Sequence, residues 1–199
     1  MKSIESILKT ASVDFHPVVD LPKNYEVLDL TKNSWNLPET EFCIGKYDEY
    51  RPNMYNTNIF DGIRNIHMGI DIGGPVGTSC MAFTDGVISH YGYNPEPGDY
   101  GNVVITKHRI SQITIWALYG HLDYLSIVNK SVGQRVSAGE MIGNFGNNKE
   151  NGGWEPHLHF QLSLVEPLTH DLPGVVSSEG REQALLDYPD PRLVLGPLY

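Results

Sequence analysis

From residue 66 onward the chain is written in short runs that alternate apolar and polar positions, broken by glycine. Ile66 to Ile72, Gly86 to Tyr91, Asn102 to His108, Gln112 to Leu122, Met141 to Phe145 and His157 to Val165 each carry β-branched or aromatic residues near a period of two. That pattern predicts strands. No apolar stripe at helical spacing runs long enough between them to form an ordinary helix. The expected fold is all-β, an antiparallel sandwich or barrel-like core of short strands. Between Val132 and Gly143 closely spaced glycines alternate with small apolar residues, which suits tight turns between very short strands. A phosphate-binding loop is the competing reading, but the Lys-Ser/Thr ending is missing and no long helix follows.

The texture before and after this block differs. Ile4, Ile7 and Leu8 fit one face of a short helix within Met1–Ser12, a strand is expected at Tyr25–Leu30, and an aromatic, polar stretch runs from Trp35 to Tyr50. Residues 1–50 thus read as an N-terminal extension packed on the core, 51–165 as the main domain and 166–199 as a C-terminal tail. The tail holds one predicted helix, Ser178–Tyr188, opened by serine and Glu179 and stopped by Pro189 and Pro191. Leu185 and Leu186 would dock it on the domain.

Composition narrows the partners. The 199 residues suffice for one domain with a real core, and 40% hydrophobic with 19% charged is a globular balance, not a disordered one. A net charge of −10 with no Lys/Arg cluster argues against nucleic acid. No run approaches the roughly 18 to 20 apolar residues that span a bilayer, so no transmembrane segment is expected. Met1–Ser12 lacks the apolar centre of an export signal, so the chain as numbered reads as cytoplasmic, or as exported once a leader has been removed. Cys43 and Cys80 allow at most one disulfide and form no Cys-x-x-Cys zinc motif. Nothing in the sequence specifies an oligomeric state.

The candidate chemistry sits in three blocks. In Pro156-His157-Leu158-His159-Phe160 the two imidazoles are two apart on a strand, so they share one face roughly 6 to 7 Å apart, while Leu158 and Phe160 face a core. Paired histidines also occur as solvated surface groups, so this pair gains meaning only with partners. Upstream stand His67-Met68-Gly69-Ile70-Asp71 and Tyr119-Gly120-His121-Leu122. A hydrolytic zinc centre uses three protein ligands and a water, and imidazole and carboxylate from separate strands suit it. On a straight strand His67 and Asp71 would lie about 13 Å apart, so the backbone must bend, and Gly69 offers the means. Spacing alone leaves open which of His157 and His159 meets the metal.

His-x-x-x-Asp, then Tyr-x-His-Leu, then His-Leu-His-Phe, in that order over about a hundred residues, resembles the lysostaphin-type zinc endopeptidases of bacterial cell-wall metabolism. The likeness covers approximately Ile66 to Val165. It implies that His67, Asp71 and His159 are the Zn2+ ligands and that His121 and His157 are the catalytic histidines beside the metal-bound water. No His-Glu-x-x-His is present, so the histidine pair would replace the usual glutamate base. Tyr100 sits where the family often has a tyrosine, and its hydroxyl is a candidate to support the tetrahedral intermediate, against the alternative of a packed turn aromatic. Asn147–Trp154 and Gln161 depart from the small Ser/Thr-Gly stretch and the glutamate of many relatives, which bears on substrate preference. The remaining histidines, His16, His90, His108 and His170, match no motif.

The resemblance therefore implies a zinc-dependent endopeptidase acting on small-residue peptide bonds, with peptidoglycan cross-bridges or stem peptides as the expected substrate. The alternative is a non-catalytic or latent peptidoglycan-binding or regulatory module that keeps the zinc site. In the latent form the segment between Tyr47 and Phe60 would lie over the cleft.

Overall fold

The computed structural model describes residues 14–32 and 38–199. The helix expected within Met1–Ser12 and the stretch around Trp35 lie outside the described residues. In chain order the strands are β1 (Glu26–Val27), β2 (Cys43–Gly45), β3 (Glu49–Tyr50), β4 (Ile66–His67), β5 (Ile70–Gly73), β6 (Ser79–Met81), β7 (Gly86–Asn94), β8 (Gly101–Ile110), β9 (Ile113–Leu122), β10 (Arg135–Val136), β11 (Met141–Asn144), β12 (His157–Ser163) and β13 (Val175–Val176). Two short helices close the chain, α1 (Arg181–Asp187) and α2 (Arg192–Leu195).

One eight-stranded sheet, in the order β1-β2-β5-β12-β9-β8-β7-β10, carries most of the molecule. Its pairings are antiparallel apart from β1 with β2. The predicted all-β class and antiparallel core are thus observed. Period-two alternation sorts the side chains onto two faces. On one face Ile88, Val104, Ala117, Tyr119, Leu158 and Phe160 pack with Ala82 and Phe83 and with Cys80 and Ile142 of the β6–β11 pair, forming the main core. On the other, Val103, Ile105, Trp116 and Leu118 are covered by Leu172 of the tail. Strands β8 and β9 are therefore buried on both sides, which is why their sequences run almost continuously apolar.

Several elements differ from the sequence reading for identifiable reasons. The run Ile66–Ile72 is two strands, because Met68 and Gly69 leave the ladder between β4 and β5 and Met68 N donates to Gly174 O at 2.8 Å. The region before residue 50 supplies β1 and β2 to the main sheet, and β3, β6, β10 and β13 are two or three residues long, too short to show a period. Helix α1 begins at Arg181, because Ser177 Oγ accepts from Gly180 N and turns the chain before the helix starts. Ala184 and Leu185 pack beside Ile66 and Met68, whereas Leu186 stays 66% exposed, since adjacent helical residues point about 100° apart. Both cysteines are free thiols.

His108, which matches no motif, is a core residue with 0% exposure. Its Nε2 meets Thr106 Oγ1 at 2.6 Å, its Nδ1 meets Asp85 O at 3.0 Å, and its ring lies 4.3 Å from Phe83. Burial holds its pKa down to about 4. An unfolded chain would take up this proton near pH 6.5, so folding stability falls as pH drops from about 6.5 toward 4. Between pH 7 and 5 the wild type should lose about 2 kcal/mol more than His108→Gln, as read by urea unfolding at the two pH values.

Candidate metal centre

The break at Gly69 is what brings His67 and Asp71 together. A Cβ on Gly69 would meet the His159 ring at 2.5 Å and Phe160 O at 2.9 Å, so only glycine lets β12 approach here. Strand β5 pairs with β12 so that Asp71 lies directly opposite His159. Cross-strand partners share a face at close Cβ spacing. His67 Nε2, Asp71 Oδ1 and His159 Nδ1 then form a triangle with sides of 3.1, 3.1 and 2.9 Å.

Hydrogen bonding at the far side of each ring fixes what this triangle offers. His67 Nδ1 faces the carbonyl of Lys46 at 2.9 Å, and a carbonyl only accepts, so Nδ1 carries the proton and Nε2 a lone pair. His159 Nε2 faces Gln161 Oε1 at 3.0 Å, and the Gln161 amide is oriented by its own donation to Pro173 O at 3.3 Å. His159 Nδ1 is therefore also a lone pair. Two nitrogen lone pairs and a carboxylate oxygen, buried and facing one another near 3 Å, repel unless a cation lies among them. Ligands of tetrahedral zinc at about 2.0 to 2.1 Å are about 3.3 Å from one another, so the donor set and its spacing fit Zn2+.

Burial opposes ionisation of Asp71, but His67 and Arg51 outweigh it and hold its carboxyl well below the usual range. Burial, with Arg51 adding to it, pushes His67 down to about 4. His67 is thus neutral at the triangle, its Nε2 lone pair turned inward.

His121 and His157 stand beside these atoms. The β8–β9 register slips between Asn102 and Val104, leaving an extra residue on β9, and His121 within this bulge has φ 65°. Such bulges re-aim side chains next to sites. His121 Nδ1–H donates to Asn151 O at 2.8 Å and His157 Nδ1–H donates to Glu155 O at 2.7 Å, so each ring keeps a free Nε2. The ring centroids are 4.2 Å apart, and His157 Nε2 is 3.8 Å from Asp71 Oδ1. Burial pushes both pKa values below the ordinary imidazole value, that of His121 well below, with His157 and His159 adding to the effect on it.

Tyr100 is close but turned. Its ring packs 5.1 Å from His159 and 5.5 Å from His121, while its hydroxyl donates to Leu172 O at 3.0 Å. The five metal-centre and histidine side chains line a cleft of about 1190 Å³, walled by Tyr55, Phe60, Trp154 and Leu172. The segment Tyr47–Phe60 forms part of that wall. His16, His90, His108 and His170 lie outside the cluster, as His67, Asp71 and His159 are the one such group among the described residues.

Sequence reasoning missed Arg51, Asn151 and the outer role of Gln161. Gln161 was legible in principle, being two residues beyond His159 on the same face of β12. Asn151 acts through its backbone carbonyl, which leaves no side-chain signal, and Arg51 lies sixteen residues before His67 in a stretch without periodicity.

His67 from the three-stranded sheet meets Asp71 and His159 of the eight-stranded sheet at one point, with His121 and His157 beside them, which defines the class as a metallopeptidase domain. Residues 65–168 match Peptidase family M23, and the chain belongs to that family. It is 35% identical over 112 residues to the DD-carboxypeptidase/endopeptidase Mpg of Neisseria meningitidis serogroup B, covering 54% of this chain and 23% of that protein. To the peptidoglycan DD-endopeptidase ShyC of Vibrio cholerae it is 34% identical over 119 residues, covering 58% and 25%. The match therefore spans about a quarter of the length of these curated relatives. The catalytic domain of lysostaphin from Staphylococcus simulans superposes with a TM-score of 0.46 at 23% identity, covering 71% of this chain and 90% of that one.

Replacing an inward-facing donor should abolish tight metal binding. His159→Ala and His67→Ala are expected to weaken zinc affinity by more than about 100-fold, beyond the effect of losing an outer partner, as measured by chelator competition.

Proposed function

We propose that this chain is a zinc-dependent endopeptidase that hydrolyses small-residue peptide bonds in peptidoglycan cross-bridges or stem peptides. The observation that carries the reading is the triangle of inward lone pairs with two neutral imidazoles opening Nε2 onto the same cleft. His67, Asp71 and His159 would hold the metal, which when bound supplies a Lewis acid and lowers the pKa of water toward neutrality.

The chain's own contribution is proton handling and orientation. Asn151 O and Glu155 O occupy Nδ1 of His121 and His157, so both rings exchange protons only at Nε2. Neutral near pH 7, one ring can accept the proton of the attacking water at Nε2 and, so protonated, hydrogen-bond the developing oxyanion before giving the proton to the leaving amine. Tyr100 serves this set through its ring, which packs against His121 and His159; its hydroxyl is committed to Leu172. The names of Mpg and ShyC, a DD-carboxypeptidase/endopeptidase and a peptidoglycan DD-endopeptidase, support the substrate class.

The test is hydrolysis of pentaglycine and of cross-linked muropeptides by the zinc-loaded protein. The wild type should cleave at least one, and His121→Ala should retain zinc while kcat/KM falls about 10²- to 10⁴-fold. Cleavage of neither substrate by zinc-loaded wild type would contradict the proposal, and full activity in His121→Ala would remove that residue from the mechanism.

A further inference from the structure

Arg51 is 2% exposed, an unusual place for a guanidinium, and each nitrogen of its fork donates at least one hydrogen bond. Nε donates to Glu49 Oε2 at 3.0 Å. Nη1 donates to Asp71 Oδ2 at 2.7 Å and to the Tyr55 hydroxyl at 3.0 Å. Nη2 donates to Lys46 O at 3.3 Å, the same carbonyl that receives the Nδ1–H of His67. Asp71 thus gives one oxygen to Arg51 and turns the other toward His67 and His159. A Cβ on Gly45 would meet Arg51 Nη2 at 2.7 Å and Asp71 Oδ2 at 3.1 Å, so the glycine keeps open the space this contact needs.

We propose that Arg51 is the positioning residue of the metal centre: its fork holds Asp71 so that a single carboxylate oxygen faces the metal, and steadies the Lys46 carbonyl that sets the His67 tautomer. The proposal rests on the zinc reading given above. Orientation accompanies charge: the guanidinium that favours the ionised Asp71 also fixes which way its carboxylate faces, while Glu49, itself 5% exposed, pairs with the opposite edge of the fork. A planar guanidinium can meet Glu49, Asp71, Tyr55 and Lys46 O together, whereas a lysine ammonium on a flexible stem cannot reproduce that fork. Once freed, the Asp71 carboxylate can rotate and offer both oxygens.

The experiment compares wild type, Arg51→Lys and Gly45→Ala for fold by near-UV circular dichroism and for zinc affinity by chelator competition. The visible spectrum of the cobalt(II)-substituted protein and steady-state hydrolysis are read on the same samples. Arg51→Lys keeps the charge and loses the fork; Gly45→Ala keeps Arg51 and crowds it out of place. Both are expected to fold, to bind zinc about 10- to 100-fold more weakly, and to lower kcat more than they raise KM. Their cobalt bands should weaken as a second carboxylate oxygen enters the coordination shell. Folded variants with zinc affinity within about twofold of wild type and an unchanged cobalt spectrum would overturn the proposal. Failure of both variants to fold would assign Arg51 to folding alone and overturn it too. A wild type that takes up no zinc would bring down the zinc reading itself, a separate and recognisable result.

Discussion

The pairing of β5 with β12, with Asp71 directly across from His159, is the constraint on which the site depends. Side-chain direction in a sheet has a period of two, so a slip of one residue would turn Asp71 into the core and Ile70 or Ile72 into the cleft. The register is held by the burial of Ile70, Ile72, Leu158 and Phe160, all at most 1% exposed on the core face. The same apolar contacts that stabilise the fold therefore decide that a carboxylate and an imidazole meet on the other face. Strand β9 on the far side of β12 places Gly120 opposite His159, and the bulge that follows turns His121 into the same space.

Around this pairing the backbone supplies most of the fine control. The carbonyls of Lys46, Asn151 and Glu155 take one N–H each from His67, His121 and His157, and the Gln161 side chain takes that of His159. Each assignment leaves the other ring nitrogen facing inward. Such outer partners set tautomer and ring orientation at metal centres. The tail belongs to this shell as well. Leu172 O holds Tyr100, Pro173 O holds Gln161, and Gly174 O holds the backbone between His67 and Asp71. Residues beyond 168, where the family match ends, thus help to shape the cleft.

Much of this is legible in the order of the amino acids. The longer strands follow from period two, and the need for a bend between His67 and Asp71 follows from reach alone, since an extended chain cannot bring residues four apart to one ion. The ordered histidine motifs then point to one centre. What the sequence hides is of two kinds. Strands of two or three residues such as β3 and β13 carry no periodic signal, yet they flank His67 and fix it from both sides. Partners that act through carbonyls, or across long sequence separations as Arg51 does with Asp71, leave no local pattern at all.

In the proposed reading, two imidazoles and one carboxylate oxygen, not the neighbouring histidines or the cleft-lining Cys43, bind the metal. Zinc-edge X-ray absorption of the reconstituted protein tests it most directly. The expected result is a four-coordinate shell of nitrogen and oxygen near 2.0 to 2.1 Å with outer scattering from two imidazole rings. A sulfur scatterer near 2.3 Å, or outer scattering from three or more imidazoles, would contradict it.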